Sequence, residues 1–246
     1  MQPWTIKLPR WYKTFTMSTL LINGCSFAEC WTPSKKFIQS LDCDNFINLG
    51  KGGTSFQRSC RSTIEWTAQN GNPSFVIVPI TFSHRWELAL NKNEDIIDGS
   101  WLPLQNSNFL SEQYELQENT MEKLKKLVDD YYEIIPTIKT YWDKMFTEII
   151  MLSGWLDSEN IPYLLFDMCN DFSMHHLAGY KGFEKINLIK KNKKIIDLFS
   201  FCGNRFMWQH LDEEEKNRID TYAHHHADQE YQQLEKYLLH YRTLHF

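Results

Sequence analysis

Ser26 is the residue whose neighbours in the sequence could best support covalent chemistry. Apolar residues 20–22 are followed by Asn23, Gly24 and Cys25 before Ser26, and a segment of helical pattern comes next. A chain can turn sharply at a glycine because glycine has no Cβ. The serine then lies at the carboxyl edge of a sheet, beside backbone N–H groups. A nucleophile and an anion-binding donor would meet there, as acyl transfer requires. The alternative is an ordinary strand-to-helix turn in which Ser26 caps the helix.

Alternating apolar and helical segments predict the elements that would position this serine. Strands are predicted over residues 18–22, 45–49, 75–80 and 161–167, and helices over 33–41, 56–69, 122–132, 137–156, 184–198 and 228–241. Strands that alternate with helices indicate an α/β/α sandwich with a mostly parallel sheet. In such sheets the site lies beyond the carboxyl ends of the strands. The loops after the first three strands contain Ser26, Gly53 and the run Thr81–Glu87, so functional residues are expected there.

The composition suits one domain with a sizeable core, because the chain has 246 residues, of which 42% are hydrophobic and 23% charged. Residues 17–246 are predicted to form that domain and residues 1–16 an appendage. The polar, Asn-rich residues 91–118 are predicted as an excursion from the sheet that partly covers the site. A net charge of −5 gives no reason to expect nucleic acid or an anionic membrane as a partner.

Targeting and cysteine patterns predict a soluble cytoplasmic protein. No apolar run approaches the length of a membrane span, and the first residues lack the apolar stretch of a signal peptide. The six cysteines form no C-x-x-C pair, so a zinc ribbon or redox motif is not indicated and the thiols are expected to be free. The sequence carries no indication of oligomeric state.

The order of these blocks resembles the SGNH (GDSL-type) hydrolase superfamily, and in particular its divergent phage and bacterial members, which often open with Gly-Cys-Ser-Phe. The resemblance spans most of residues 17–240. It implies a flavodoxin-like order of the parallel strands, a Ser–His mechanism and no metal or organic cofactor. Ser26 falls on the family's nucleophile. The turn over residues 48–53 matches the second block, so the resemblance makes Gly53 a backbone donor to the oxyanion, while a turn of purely structural importance is the alternative.

The third block departs from the family pattern. It normally ends in Gly-x-Asn, whose amide is another oxyanion donor, but residues 79–83 contain no asparagine. Thr81 or Ser83 would have to donate a hydroxyl in its place, and a hydroxyl is a less rigid donor than a fixed amide. Arg85 and Glu87 lie in the same loop, where they either bind substrate or pair with each other.

The last block supplies the base. Aligned on the closing helix, His226 is the catalytic base by resemblance. The family's Asp normally stands two or three residues earlier, where this chain has Ala223 and His224. Asp220, His224 or a backbone carbonyl is left to orient the imidazole, and without such a partner its tautomer is less secure.

Two alternatives concern residues near these blocks. The run His224–His226, together with His175 and His176, leaves a zinc or nickel site open, although three adjacent side chains diverge and do not easily close on one ion; a solvated surface run is the other reading. Cys25 is an alternative nucleophile, but Ser26 holds the family position and nothing cationic is evident beside Cys25.

The expected function is that of a serine esterase acting on a small acyl ester, with an acetylated carbohydrate as the substrate that the family's habits suggest. No nucleic acid or membrane partner is expected. The alternative is a non-catalytic SGNH-like binding protein with a degraded site, or a virion-associated structural protein if the chain is phage-encoded. The missing asparagine and the displaced aspartate favour this alternative.

Overall fold

The computed structural model describes residues 18–89, 101–104, 118–134, 138–167, 180–196 and 228–245. In chain order the described elements are β1 (Thr19–Ile22), α1 (Ser26–Glu29), α2 (Lys35–Ser40), β2 (Asn45–Asn48), α3 (Phe56–Asn70), β3 (Phe75–Ile80), β4 (Trp86–Ala89), β5 (Trp101–Leu104), α4 (Glu118–Ile134), α5 (Ile138–Ser158), β6 (Tyr163–Asp167), α6 (Phe183–Lys191) and α7 (Asp228–His245).

A parallel sheet lies at the centre, with the strand order β2-β1-β3-β6. Each neighbouring pair in this order is parallel. Past β6, Ile195 adds a single parallel bridge to Leu165. The predicted fold class is confirmed, and the order in which β1 separates β2 from β3 is the flavodoxin-like one.

Helices cover both faces of this sheet. Successive side chains of each strand point to opposite faces, so each strand contributes to both cores. Leu21, Val76 and Leu165 face a cluster that also contains buried residues of α3, α5 and α6. Leu20 and Ile77 face the opposite cluster, which contains buried residues of α1, α2 and α7. All residues of β1 and β3 are buried. Burial on both faces explains why these strands are continuous apolar runs rather than alternating ones.

Two predicted elements differ from the structure. The helix predicted over 184–198 ends at Lys191, because Asn192 turns the chain: its amide donates to the Tyr163 hydroxyl at 2.7 Å and its side-chain oxygen accepts from the Lys194 N–H at 2.9 Å. Within the predicted excursion, residues 101–104 form β5, which pairs antiparallel with β4.

Other parts of the sequence prediction fall outside the described residues. These are the appendage 1–16 and most of the excursion 91–118, although α4 begins at Glu118. Over the described helices, none is both long and apolar enough to cross a bilayer. Cys25, Cys30, Cys43 and Cys60 are present as thiols.

Candidate active site

Ser26 lies directly beyond the carboxyl end of β1, as its first residue in helix α1. The backbone N–H of Asn23 still donates to the Ile77 carbonyl at 3.0 Å, so the chain leaves the sheet only after this residue. Cys25 is the N-cap of α1, and no side-chain capping bond is present. Ser26 is therefore not the cap of this helix. Ser26 is partly exposed, whereas Cys25 is only 1% exposed, which favours the hydroxyl over the thiol as the accessible nucleophile.

The turn before Ser26 requires a glycine. Gly24 has a φ of +148°, and a Cβ there would lie 2.9 Å from the Ala28 Cβ and 3.3 Å from the Pro79 carbonyl oxygen. Side chains rarely adopt this backbone conformation. Gly24 therefore lets α1 begin close against the end of β3.

Asn23 anchors the same turn from below. Its side-chain nitrogen lies 2.9 Å from the Ser59 carbonyl, 2.8 Å from the Ser62 hydroxyl and 2.9 Å from the Thr63 hydroxyl. Its side-chain oxygen accepts from the Gly24 N–H at 2.8 Å. Asn23 is fully buried, so these bonds replace the water it loses and fix the turn to helix α3.

The second loop is bound to the Ser26 helix by Asn48 at the end of β2. Its side-chain nitrogen donates to the Ala28 carbonyl at 2.6 Å and to the Trp31 carbonyl at 3.1 Å. Its side-chain oxygen accepts from the Gly50 N–H at 2.8 Å. A Cβ on Gly50 would lie 2.4 Å from the Glu29 backbone nitrogen, so the loop can approach α1 this closely only with a glycine at position 50.

Gly52 and Gly53 bring the loop next to the serine. A Cβ on Gly52 would lie 3.7 Å from the Ser26 Cβ, and the Gly52 N–H donates to Glu29 Oε2 at 2.7 Å. Because Glu29 already accepts from this N–H, Gly52 is the weaker candidate for an oxyanion donor. Gly53 is buried and has a φ of +73°, so the backbone turns at this residue. The resemblance names the same residue as a donor to the oxyanion.

The third loop follows β3 and contains the three remaining described candidates. Thr81 is fully buried, Ser83 is 7% exposed and Arg85 is 8% exposed. Arg85 Nη1 donates to the Thr81 hydroxyl at 3.2 Å and to the Thr54 carbonyl at 3.4 Å, which joins the third loop to the second. Glu87 is bound by Arg61 at 3.3 Å. The alternative in which Arg85 and Glu87 pair with each other is therefore not what the structure shows.

His84 is a residue of this loop that the sequence argument did not single out. Its ring packs against Phe82 with centroids 5.4 Å apart. Desolvation, together with the positive charge of Arg85, lowers the pKa of His84. His84 is itself exposed to solvent. Its position between two candidate residues was the signal available in the sequence.

The closing helix α7 packs against the segment that carries Ser26. The Tyr231 hydroxyl donates to the carbonyl of Phe27, the residue after Ser26, at 2.8 Å. The rings of Tyr231 and Trp31 stack with centroids 6.1 Å apart. Further along, Glu235 accepts from the Ser34 N–H at 2.7 Å and from its hydroxyl at 2.5 Å. Tyr231 therefore ties the start of α7 to the segment that carries Ser26.

The candidates divide into two groups. Beyond the carboxyl ends of β1, β2 and β3 lie Ser26, Gly53, Thr81, Ser83 and Arg85. His226, Asp220 and the other clustered histidines lie outside the described residues. Within the described ranges, no group of three or more His, Cys, Asp and Glu side chains is arranged to hold a metal ion.

Comparison with known proteins adds one structural likeness. No family model matches the chain, and no curated protein matches its sequence. A candidate acylhydrolase from Bacteroides fragilis NCTC 9343 is similar in structure, with a TM-score of 0.44 and 12% sequence identity over 93% of this chain and 88% of that one. A likeness of this degree does not carry the neighbour's activity over to this chain. The fold class rests on the chain's own sheet order and layers.

Proposed function

We propose that this protein is a serine ester hydrolase in which Ser26 is the nucleophile. The observation that carries the proposal is the position of Ser26. It is a partly exposed residue at the carboxyl edge of a parallel sheet, next to a glycine turn in which a Cβ added to Gly52 would lie 3.7 Å from the Ser26 Cβ. Such a position combines a reachable nucleophile with backbone donors.

His226 is the proposed base by the resemblance, in which the base directly precedes the closing helix. In the sequence His226 stands two residues before α7. Tyr231 is three residues into α7, or about 5 Å along its axis, and donates to the carbonyl next to Ser26. In the proposed mechanism Asp220 or His224 orients the imidazole of His226.

The reaction then proceeds in two balanced halves. Ser26 Oγ attacks the acyl carbonyl carbon while the imidazole of His226 takes the hydroxyl proton. The N–H groups of Ser26 and Gly53, with a hydroxyl from Thr81 or Ser83, bind the tetrahedral oxyanion. Collapse breaks the ester bond, and the imidazolium gives its proton to the leaving alcohol. Water attacks the acyl-enzyme by the same route and releases the acid.

A second candidate function is non-catalytic binding by the same loops, in a binding or virion-associated structural protein. One observation favours it: Thr81 is fully buried, and its hydroxyl accepts a hydrogen bond from Arg85 at 3.2 Å. The full burial of Thr81 keeps its hydroxyl from a bound substrate, so the third loop offers less to an oxyanion than the side-chain amide that the resemblance would call for. Losing one oxyanion donor costs about 10²–10³ in turnover.

Hydrolysis of para-nitrophenyl acetate tests the proposal. Ser26→Ala and His226→Ala are each expected to abolish the activity to a similar level, because the two side chains act as one unit. Cys25→Ala should keep most of it. Ser40→Ala is the matched control, since Ser40 is an exposed serine whose hydroxyl bonds only within its own helix. A fluorophosphonate probe should label Ser26, as located by peptide mass spectrometry.

Other results would change the assignment. Loss of activity in Cys25→Ala with Ser26→Ala active would move the nucleophile by one residue. Loss in a variant of His84, His224 or His225 with His226→Ala active would move the base. If a well-folded protein showed neither Ser26-dependent cleavage of short acyl esters nor labelling, the binding function would stand instead.

A further inference from the structure

Arg85 is a buried cation without a described counter-ion. The residue is 8% exposed, and its Nε is buried without a hydrogen-bond partner. Its described polar contacts are two bonds from Nη1, to a threonine hydroxyl and to a backbone carbonyl, and both acceptors are neutral. The carboxylate closest to it in sequence, Glu87, is bound by Arg61. Within the described ranges no carboxylate neutralises the Arg85 charge.

Such an arrangement is costly unless something compensates for it. A buried charge is normally paired, because leaving water without a counter-ion is strongly unfavourable. The ring of Phe82 lies 4.7 Å from the guanidinium carbon and offsets part of this cost. The ring accepts no hydrogen bond from the in-plane N–H groups of the guanidinium, which has five such donors in a rigid planar arrangement. The fork fits two oxygens of one anionic group.

The location connects this unused capacity to the candidate site. Nη1 bonds to Thr54, which is adjacent to Gly53 in the second loop, and to Thr81 at the start of the third. The guanidinium therefore lies between the two loops that flank Ser26. A purely structural role in joining the loops uses Nη1 alone and leaves the charge unexplained.

We infer that Arg85 binds a negatively charged group of the substrate, so that the enzyme prefers acyl esters carrying a carboxylate or phosphate over neutral ones. The inference rests on the proposed function of Ser26 and adds the substrate class to it. A charge-assisted hydrogen bond of this kind corresponds to about a 10- to 100-fold preference.

Paired esters that differ by one charge test the inference. One pair is the mono-para-nitrophenyl ester of adipic acid and its methyl ester, with the charge on the acyl side. The other is para-acetoxybenzoate and its methyl ester, with the charge on the alcohol side. In the wild-type protein kcat/KM for at least one charged ester should exceed that for its neutral partner about 10- to 100-fold. A para-nitrophenyl ester whose acyl chain carries a phosphate in place of the carboxylate distinguishes phosphate from carboxylate recognition.

Variants then assign the preference to Arg85. The charged-to-neutral ratio of kcat/KM should fall to near one in Arg85→Gln and be partly kept in Arg85→Lys, which retains the charge but lacks the fork. Arg61→Gln is the matched control, because it makes the same change of charge on an arginine that already has carboxylate partners. Its ratio should equal that of the wild type.

The outcomes separate this inference from the proposed function. Equal cleavage of charged and neutral esters by the wild type, or an unchanged ratio in Arg85→Gln, would overturn the inference while Ser26 remained the nucleophile. If no ester were cleaved, saturation-transfer NMR with para-hydroxybenzoate and its methyl ester would decide. Arg85-dependent binding of the anion alone would support anion recognition in a non-catalytic protein, and its absence would overturn the inference as well.

Discussion

Gly50 shows how closely the candidate site is packed. A Cβ at this position would lie 2.4 Å from the Glu29 nitrogen and 2.7 Å from the Ala28 carbonyl carbon, and both are backbone atoms. Backbone of a helix cannot move aside as a flexible side chain can. Gly50→Ala should therefore push the second loop away from α1, lower the free energy of unfolding by about 1–3 kcal/mol and reduce Ser26-dependent hydrolysis. Urea unfolding and the ester assay measure the two effects.

Gly154 provides the matched control on helix α5. It is exposed, and a Cβ there would meet no atom within 4 Å. Gly154→Ala should stabilise the protein by about 0.5–1 kcal/mol, because alanine loses less backbone entropy in a helix. A Gly50→Ala variant as stable as Gly154→Ala would show that the loop can shift without cost.

The residues of the site differ in how far sequence alone could find them. Ser26, Gly53 and Thr81 lie in the segments that follow three predicted strands, so strand prediction was enough to place them at one edge of the sheet. The bonds of Asn23 to Thr63 and of Asn48 to Ala28 join residues 40 and 20 positions apart. No local pattern encodes such pairs, and their geometry appears only once the strands are paired.

At the scale of elements, helix α7 holds the Ser26 segment in place. Tyr231 is 5% exposed and its hydroxyl donates to Phe27 at 2.8 Å. Tyr231→Phe removes one buried donor, which should lower the free energy of unfolding by about 0.5–1.5 kcal/mol and reduce kcat more than it changes KM. The reason is that the serine loses part of its support while the substrate contacts remain.

Tyr241 is the control on the same helix. Its hydroxyl also donates to a backbone carbonyl, that of Lys193 at 3.1 Å, but at an exposed site away from Ser26. Tyr241→Phe should leave hydrolysis unchanged. Equal activity in both variants would mean that α7 covers the sheet without positioning the nucleophile.

Elements with a clear apolar period were predicted well, and those defined by pairing were not. The four strands of the parallel sheet and the helix now seen as α3 agree closely with the sequence pattern. The hairpin of β4 and β5 was missed, because its second strand lies in a polar, Asn-rich segment that predicts a loop. The end of α6 was missed because Asn192 turns the chain through bonds to Tyr163, a residue of another element.

At the scale of the whole molecule, helix α5 carries two carboxyl groups with opposite pKa shifts. Hydrogen bonds from Lys185 and Tyr180 hold the pKa of Asp143 below its usual range. Burial raises the pKa of Glu148, although Lys144, 2.9 Å away, opposes the shift. Asp143 links α5 to Tyr180 and to Lys185 of α6, whereas Glu148 is a largely buried carboxyl group. The two should shape the pH dependence of stability in opposite directions.

The change in the free energy of unfolding with pH depends on the difference in bound protons between the unfolded and folded states. Asp143 releases its proton more readily when folded, so its contribution is present above about pH 3.9, its unfolded value, and is lost as the pH falls through the folded pKa. Glu148 holds its proton more tightly when folded, so its contribution is present below about pH 4.3 and is lost as the pH rises through the folded pKa.

Two variants separate these contributions in urea unfolding measured across a series of pH values. Asp143→Asn should flatten the loss of stability on the acid side, below about pH 3.9, because no carboxylate is then protonated at that site. Glu148→Gln should remove the decline in stability that the wild type shows above about pH 4.3. Between acid and neutral pH the variant should therefore lose less stability than the wild type. Curves for both variants that ran parallel to that of the wild type would show that neither carboxyl group is coupled to folding.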